Sequence, residues 1–399
     1  MVQAHSPCFF PMKNVIQHYI WGSRTALSSL LGVENPNKEH QAELWMGAHP
    51  NGCSTIDYKG QKQLLSDFIN QNKTVVLNAS TEAQFGELPY LFKVLAAGES
   101  LSVQVHPSKE QAVVGFAKEE KAGIPRHAPE RNYKDPNHKP ELVYALTPYY
   151  AMNGFRVYDE IIALFQKMNL SIIRDLVDGF VAEPNSAGLA RFFSGILSLQ
   201  GERKTLAIDA LMDYARKNQE EALFKLVLDL ALQHPGDIGV FTPLMLNVIT
   251  LQPGEAMFLY ACTPHAYLKG TGLEIMANSD NVLRAGLTPK FIDVQALVSC
   301  TKFEPIPFSQ LKFTPEEKEG GEYYAIPVDD FKFAIFKTAP ALDLKVQSAE
   351  ILLALDAEMT LTHTSGESLT LAKGGSVFIP AYVGQYKLNC KGRVARVFN

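Results

Sequence analysis

The periodicity of the chain changes twice. Up to about residue 158, short apolar runs alternate with turn residues in the manner of β-strands; from Asp159 to His234 the apolar residues recur at helical spacing; then strand texture returns. Ile161, Ile162, Leu164, Phe165 and Met168 predict one apolar helix face. Leu206, Ala210, Leu211, Tyr214 and Ala215 predict a second, and Leu223, Leu226, Val227 and Leu230 a third. Breaks fall at Pro184, Gly201 and Pro235-Gly236. This pattern describes a block of four or five helices inserted into a β protein. The block has no clustered acids and bases, so it reads as a lid or scaffold. With 399 residues the chain exceeds one ordinary core, and two or three domains are expected.

Among the strand-like runs, Ser102-Val103-Gln104-Val105-His106-Pro107 carries chemistry. Alternation puts Ser102, Gln104 and His106 on one face and Leu101, Val103 and Val105 on the other. A Gln and a His two apart can grip one metal ion if other strands bring further ligands. The polar stretch from Glu130 to Pro140 leads into a strand beginning at Glu141, and a later strand-like segment ends at His265. Two imidazoles, a carboxylate and an amide carbonyl suit Zn²⁺ and are also able to hold Mn²⁺, Fe²⁺ or Co²⁺. Each histidine has the alternative of a satisfied core residue. Lys93 interrupts the apolar run Leu88–Leu95 and requires a partner, a polar cavity or a snorkelling path. Both tryptophans, Trp21 and Trp45, lie in segments suited to lining a pocket or filling a core.

The remaining composition narrows the partners. Thirty-seven basic against 42 acidic residues give a net charge of −5, which argues against a nucleic-acid surface. The five cysteines are widely spaced and form no Cys-x-x-Cys pair, as in a reducing compartment. Met1 to Lys13 lacks a secretory pattern and no apolar run is long enough for a membrane span, so a soluble cytoplasmic protein is expected. Residues from about Pro305 onward read as all-β. Leu251-x-x-Gly254-x-x-Met257-Phe258-Leu259 recurs as Leu371-x-x-Gly374-x-x-Val377-Phe378-Ile379 and sets Gln385 opposite His265. If this repeat is genuine, the C-terminal region lacks the histidine and is structural; chance similarity between two β-turns is the alternative.

Several longer motifs extend these readings: Tyr19-Ile20-Trp21-Gly22, Ala42-Glu43-Leu44-Trp45-Met46-Gly47, Gln104-Val105-His106-Pro107, the run Asn132 to Glu141, Pro264-His265-Ala266-Tyr267, and Asn278 to Thr288. In this order they closely resemble the type I mannose-6-phosphate isomerase (phosphomannose isomerase) family, in its bacterial form, from Tyr19 to the C-terminus. The resemblance implies a mainly β protein with an α-helical insertion, built from two cupin-type β-barrel (jelly-roll) domains plus a helical domain. Its expected divisions are 1–157 and 239–304 for the catalytic cupin domain, 158–238 for the helical insertion and 305–399 for the C-terminal cupin-like domain. It also implies one zinc ion per chain, with ligands at Gln104, His106, Glu141 and His265, and an active-site arginine at Arg284.

The reaction so implied interconverts mannose 6-phosphate and fructose 6-phosphate through a cis-enediol. It requires a base, a cation near the enediolate oxygens and groups that hold the phosphate. Lys139, His138 and Glu274 are the candidate bases; Lys139 is favoured because it lies two residues before Glu141 on extended backbone, and it serves if the metal and Arg284 favour its neutral amine. Ser102, Lys93 and Lys290 are the expected phosphate contacts. Cys262, three residues before His265, is expected to point away from the metal; His49 reads as loop packing, and His363 has no partner. A cupin metal oxygenase and a non-enzymatic sugar-binding cupin are the competing readings. The expected partner is a small sugar phosphate bound by a monomer, with neither nucleic acid nor membrane.

Overall fold

The structure, a computed structural model, describes residues 6–399. Its organising element is the 13-residue strand His265–Ala277, which belongs to two sheets in succession. Its first part pairs with Tyr149–Phe155 and, at His265, with Gln104; from Gly270 onward it pairs with Tyr90–Ala97 on one side and Glu141–Ala145 on the other. Gly270 marks the change: φ is +125°, and a Cβ there would lie 2.5 Å from the Pro148 carbonyl oxygen. The result is two facing sheets joined through one strand, rather than the closed barrel the sequence suggests.

Alternation then sorts the side chains of each strand. Tyr90, Phe92, Val94, Leu142, Tyr144, Leu273 and Ile275 pack outward into one apolar cluster with Phe333, Ile335, Ile351, Leu353 and Val397 of the C-terminal region. Val103, Val105, Leu283 and Ala285 pack the opposite way, into the core of the helical block. The alternate residues, Lys93, Gln104, Glu141, His265, Glu274 and Arg284, are left to the space between the sheets.

The helical block contains Tyr158–Met168, Arg174–Ala182, Ser186–Leu197, Gly201–Lys217 and Ala222–Gln233. In Gly201–Lys217 the buried set is Ala207, Ile208, Leu211, Met212 and Ala215, while Leu206 is exposed, one step around from the expected face. Ile208 and Met212 fill that stripe, a second apolar ridge that the expected face omitted. The segment after Pro107 forms the helix Lys109–Lys121, opened by a capping box in which Ser108 and Gln111 exchange side-chain bonds.

The C-terminal region is a sandwich of a seven-stranded and a four-stranded sheet around its own core. Phe10 and Pro11 complete the larger sheet by pairing with Phe378 and Val377. The suspected repeat is visible as two strand–turn–strand units, Leu246–Leu251 to Ala256–Leu259 and Ser368–Leu371 to Ser376–Ile379, each turning at a glycine with positive φ. Among the described residues no helix is long and apolar enough to cross a membrane.

Candidate active site

Three of the expected ligands converge. One ligand atom from each of His106, Glu141 and His265 lies within 4.8 Å of the other two, and all three residues are buried. His106 Nε2 is 3.3 Å from Glu141 Oε1 and His265 Nε2 is 3.5 Å from Glu141 Oε2. The other ring nitrogens face backbone carbonyls: His106 Nδ1 sits 2.6 Å from the Asn281 oxygen and His265 Nδ1 2.9 Å from that of Thr263. A carbonyl only accepts, so each Nδ1 carries the proton and each Nε2 turns a lone pair inward. Gln104 stands directly across from both His265 and Arg284 in the strand register. Its amide nitrogen donates to Ser102 Oγ at 3.4 Å.

The electrostatics suit a cation. Burial, reinforced by Lys139, pushes His106 down to about 4, so its ring is neutral at pH 7. Burial alone would raise the Glu141 carboxyl, but the adjacent Lys139 ammonium holds it well below the usual carboxylate range. His106 Nε2 is buried without a hydrogen-bond partner. An orphaned lone pair in a low-dielectric interior is costly. Facing a carboxylate and a second imidazole, it fits a divalent metal of zinc type.

The other expected residues divide into groups. Lys139 Nζ is 3.0 Å from Glu141 Oε1 and therefore beside the metal cradle. His138 is engaged by Asp330 of the C-terminal region, with Nε2 to Oδ2 at 2.9 Å. Lys93 and Glu274 neutralise each other at 2.8 Å, and Glu43 lies 3.8 Å from the same ammonium. Burial would lower Lys93, but these carboxylates overcome it and keep the ammonium charged. The lysine expected to meet phosphate is thus already held by two carboxylates. Arg284 is half-buried and, among the described residues, its guanidinium has no ion-pair or hydrogen-bond partner. Burial and the positive charges of Arg284 and Lys134 together depress Lys290, so these three cations lie near one another. Cys262 points to Gln111, His49 packs edge-on against Trp45, and His363 bonds Ser365 at the surface.

Several contributors escaped the sequence reading. Tyr267 donates its hydroxyl to Glu141 Oε2 at 2.7 Å; it lies two residues beyond His265 on one strand face, a spacing that was available to find it. Glu43, whose role the sequence does not assign, sits in the same interior and accepts at 2.6 Å from the indole of Trp45, which the sequence offers as a pocket-lining residue. Asn281 positions His106 through its carbonyl while its side chain ties down Lys134 and Asp135, a role that needs the folded loop to be seen.

Comparison with known proteins agrees with this geometry. Family models match as "Phosphomannose isomerase type I, catalytic domain" over residues 9–158, "Phosphomannose isomerase type I, helical insertion domain" over 169–246 and "Mannose-6-phosphate isomerase, cupin domain" over 322–399. The mannose-6-phosphate isomerase of Salmonella typhimurium is 47% identical over 389 residues, covering 97% of this chain and 98% of that protein. The human mannose-6-phosphate isomerase is 36% identical over 410 residues, with 94% of each covered. Among solved structures, a zinc-bound mannose 6-phosphate isomerase superposes with a TM-score of 0.94 at 46% identity, over 98% of this chain and 100% of the other. A point mutant of the Salmonella typhimurium phosphomannose isomerase gives a TM-score of 0.95 at 45% identity with the same coverage. By sequence, fold and the arrangement of its buried ligands, the chain belongs to the type I phosphomannose isomerase family.

Proposed function

We propose that this protein interconverts D-mannose 6-phosphate and D-fructose 6-phosphate, using one zinc ion held by Gln104, His106, Glu141 and His265. The observation that carries the reading is the unpartnered His106 Nε2, aimed with His265 and Glu141 into an interior that also holds an unpartnered arginine. When bound, zinc supplies Lewis-acid stabilisation of the negative charge that develops on the sugar O1 and O2. Arg284 adds a permanent positive charge to the same oxyanion. Lys290 and Lys134, at the rim beside Arg284, together with Ser102, bind the phosphate dianion and orient the sugar with C1 and C2 inward.

Lys139, once a cation bound in the cradle together with Arg284 favours its neutral amine, is the base that takes the proton from C2 and returns it to C1. Of the three candidates it alone lies against the metal cradle, since His138 is turned to Asp330 and Glu274 is held by Lys93. Tyr267 orients Glu141 through its hydroxyl. Every group invoked comes from one polypeptide, so a monomer suffices. The test is a coupled assay for fructose 6-phosphate formed from mannose 6-phosphate, run on zinc-loaded and chelator-stripped protein. Turnover is expected only with metal; undiminished turnover in the stripped protein overturns the proposal.

A further inference from the structure

Behind the metal cradle lies a pair of thiols that the isomerisation does not use. Cys262 sits in the turn before His265 and Cys300 ends the helix Val294–Cys300. Their sulfurs converge on a single oxygen, Gln111 Oε1, at 3.1 and 3.8 Å, so the two thiols are neighbours around one acceptor. Cys300 is buried, whereas Cys262 is only half-buried and faces Gln111 in the first turn of the helix Lys109–Lys121. One sulfur is reachable, and the other waits beside it around the same oxygen. The backbone is also constrained to keep them there. Cys262 adopts φ +64°, its N–H donates to the His106 carbonyl at 2.7 Å, and its carbonyl accepts from the Lys302 N–H at 2.9 Å.

We propose that Cys262 and Cys300 form a hydroperoxide-sensitive thiol pair that closes to a disulfide. The Cys262 sulfur attacks the outer oxygen of the hydroperoxide; the O–O bond breaks, giving a sulfenic acid on Cys262 and releasing the alcohol, or water from hydrogen peroxide. The Cys300 sulfur then attacks the Cys262 sulfur, the S–O bond breaks, and the hydroxyl leaves as water with the Cys300 proton. Two thiols are oxidised by two electrons in all, and the hydroperoxide is the group reduced. The bond draws the sulfurs from around Gln111 Oε1 to about 2.05 Å and ties the helix end to the turn whose next carbonyl, that of Thr263, holds His265.

Zinc-loaded full-length protein treated with a small excess of hydrogen peroxide, then digested without reduction and mapped by mass spectrometry, tests this. The Cys262 and Cys300 peptides should appear joined and lighter by two hydrogen atoms, and should separate on reduction, with Cys8, Cys53 and Cys390 unlinked. In Cys300→Ser the reaction should stop at a sulfenic acid on Cys262 that dimedone traps. The proposal is overturned if Cys262 and Cys300 stay as thiols while other cysteines oxidise, or if they oxidise separately to sulfinic acids without joining. Should Cys300→Ser fail to fold, the map of the unsubstituted protein decides alone.

Discussion

Glu141 and Glu350 are counterparts in the two β units, and their surroundings close in different ways. The repeat aligns Leu259 with Ile379, and the strand partners of these two residues are Glu141 and Glu350. Both carboxylates are almost fully buried, and each accepts a tyrosine hydroxyl, from Tyr267 and Tyr386 respectively. Glu350 is completed by Arg396, whose guanidinium reaches one carboxylate oxygen at 2.6 and 3.0 Å and also donates to the Lys345 carbonyl. Glu141 faces two imidazoles, one with an orphaned nitrogen, and the exposed Gln385 stands where the repeat would place a second His265. One cluster satisfies itself and is structural. The other is left incomplete, so that a metal ion can complete it.

The largest effect expected from breaking the contrast is at His265. His265→Ala removes one of the two imidazoles from the cradle and should abolish both zinc binding and turnover, measured by metal analysis and the coupled assay; a full zinc complement in this variant would refute the ligand assignment. Arg396→Met should act on the other cluster alone. It leaves the Glu350 carboxylate buried with only a hydroxyl, at a cost of about 3–5 kcal/mol in urea unfolding, with kcat of the folded fraction unchanged. A fall in kcat matching the His265 variant would mean that the two clusters are not independent.

Acid should separate the clusters next. His106 is held near 4 in the folded chain by burial and Lys139, against about 6.5 for an unfolded histidine. Between these values the unfolded chain binds the extra proton, so the metal-free protein should lose stability as pH falls from about 6.5 to about 4, and His106 should add no further loss below that. His106→Gln should flatten this part of the profile. A metal-free protein equally stable at pH 7 and pH 4.5 would contradict the environment described for His106.

The contrast also shows what a single sequence makes legible. Strand alternation placed Gln104 with His106, the 3.6-residue period located the helical block, and long motifs carried the ligand set. Lys93 announced itself as an apolar-run anomaly, but its partners Glu43 and Glu274 come from two other strands, and only the register brings them together. Lys134 and Asn281 are joined by a loop-to-loop bond between segments far apart in sequence. The short strand Phe10–Pro11 has no local pattern at all, because its pairing is set by the far end of the chain. Contacts fixed by tertiary register, rather than by local period, are the ones that sequence periodicity leaves out.

The smallest expected effect concerns how the helical block supports the arginine. Asp237, at the exit of the block, accepts backbone N–H groups from Gly239 at 2.7 Å, Leu287 at 2.9 Å and Thr288 at 3.0 Å. Gly239 and Gly286 meet so closely that a Cβ on Gly286 would lie 2.5 Å from the Gly239 Cα. The block is thus fastened to the end of the strand Leu283–Gly286, whose Arg284 faces the site while Leu283 and Ala285 enter the helical core. Asp237→Asn weakens the charge-assisted anchor without removing it, and should lower kcat about tenfold, or about 1.4 kcal/mol, with zinc content unchanged. If the anchor works through Arg284, adding Asp237→Asn to Arg284→Ala should cost little more than Arg284→Ala alone. Fully additive losses would instead place the influence of Asp237 elsewhere in the site and leave the metal cluster, unlike its C-terminal counterpart, dependent on the helical block by another route.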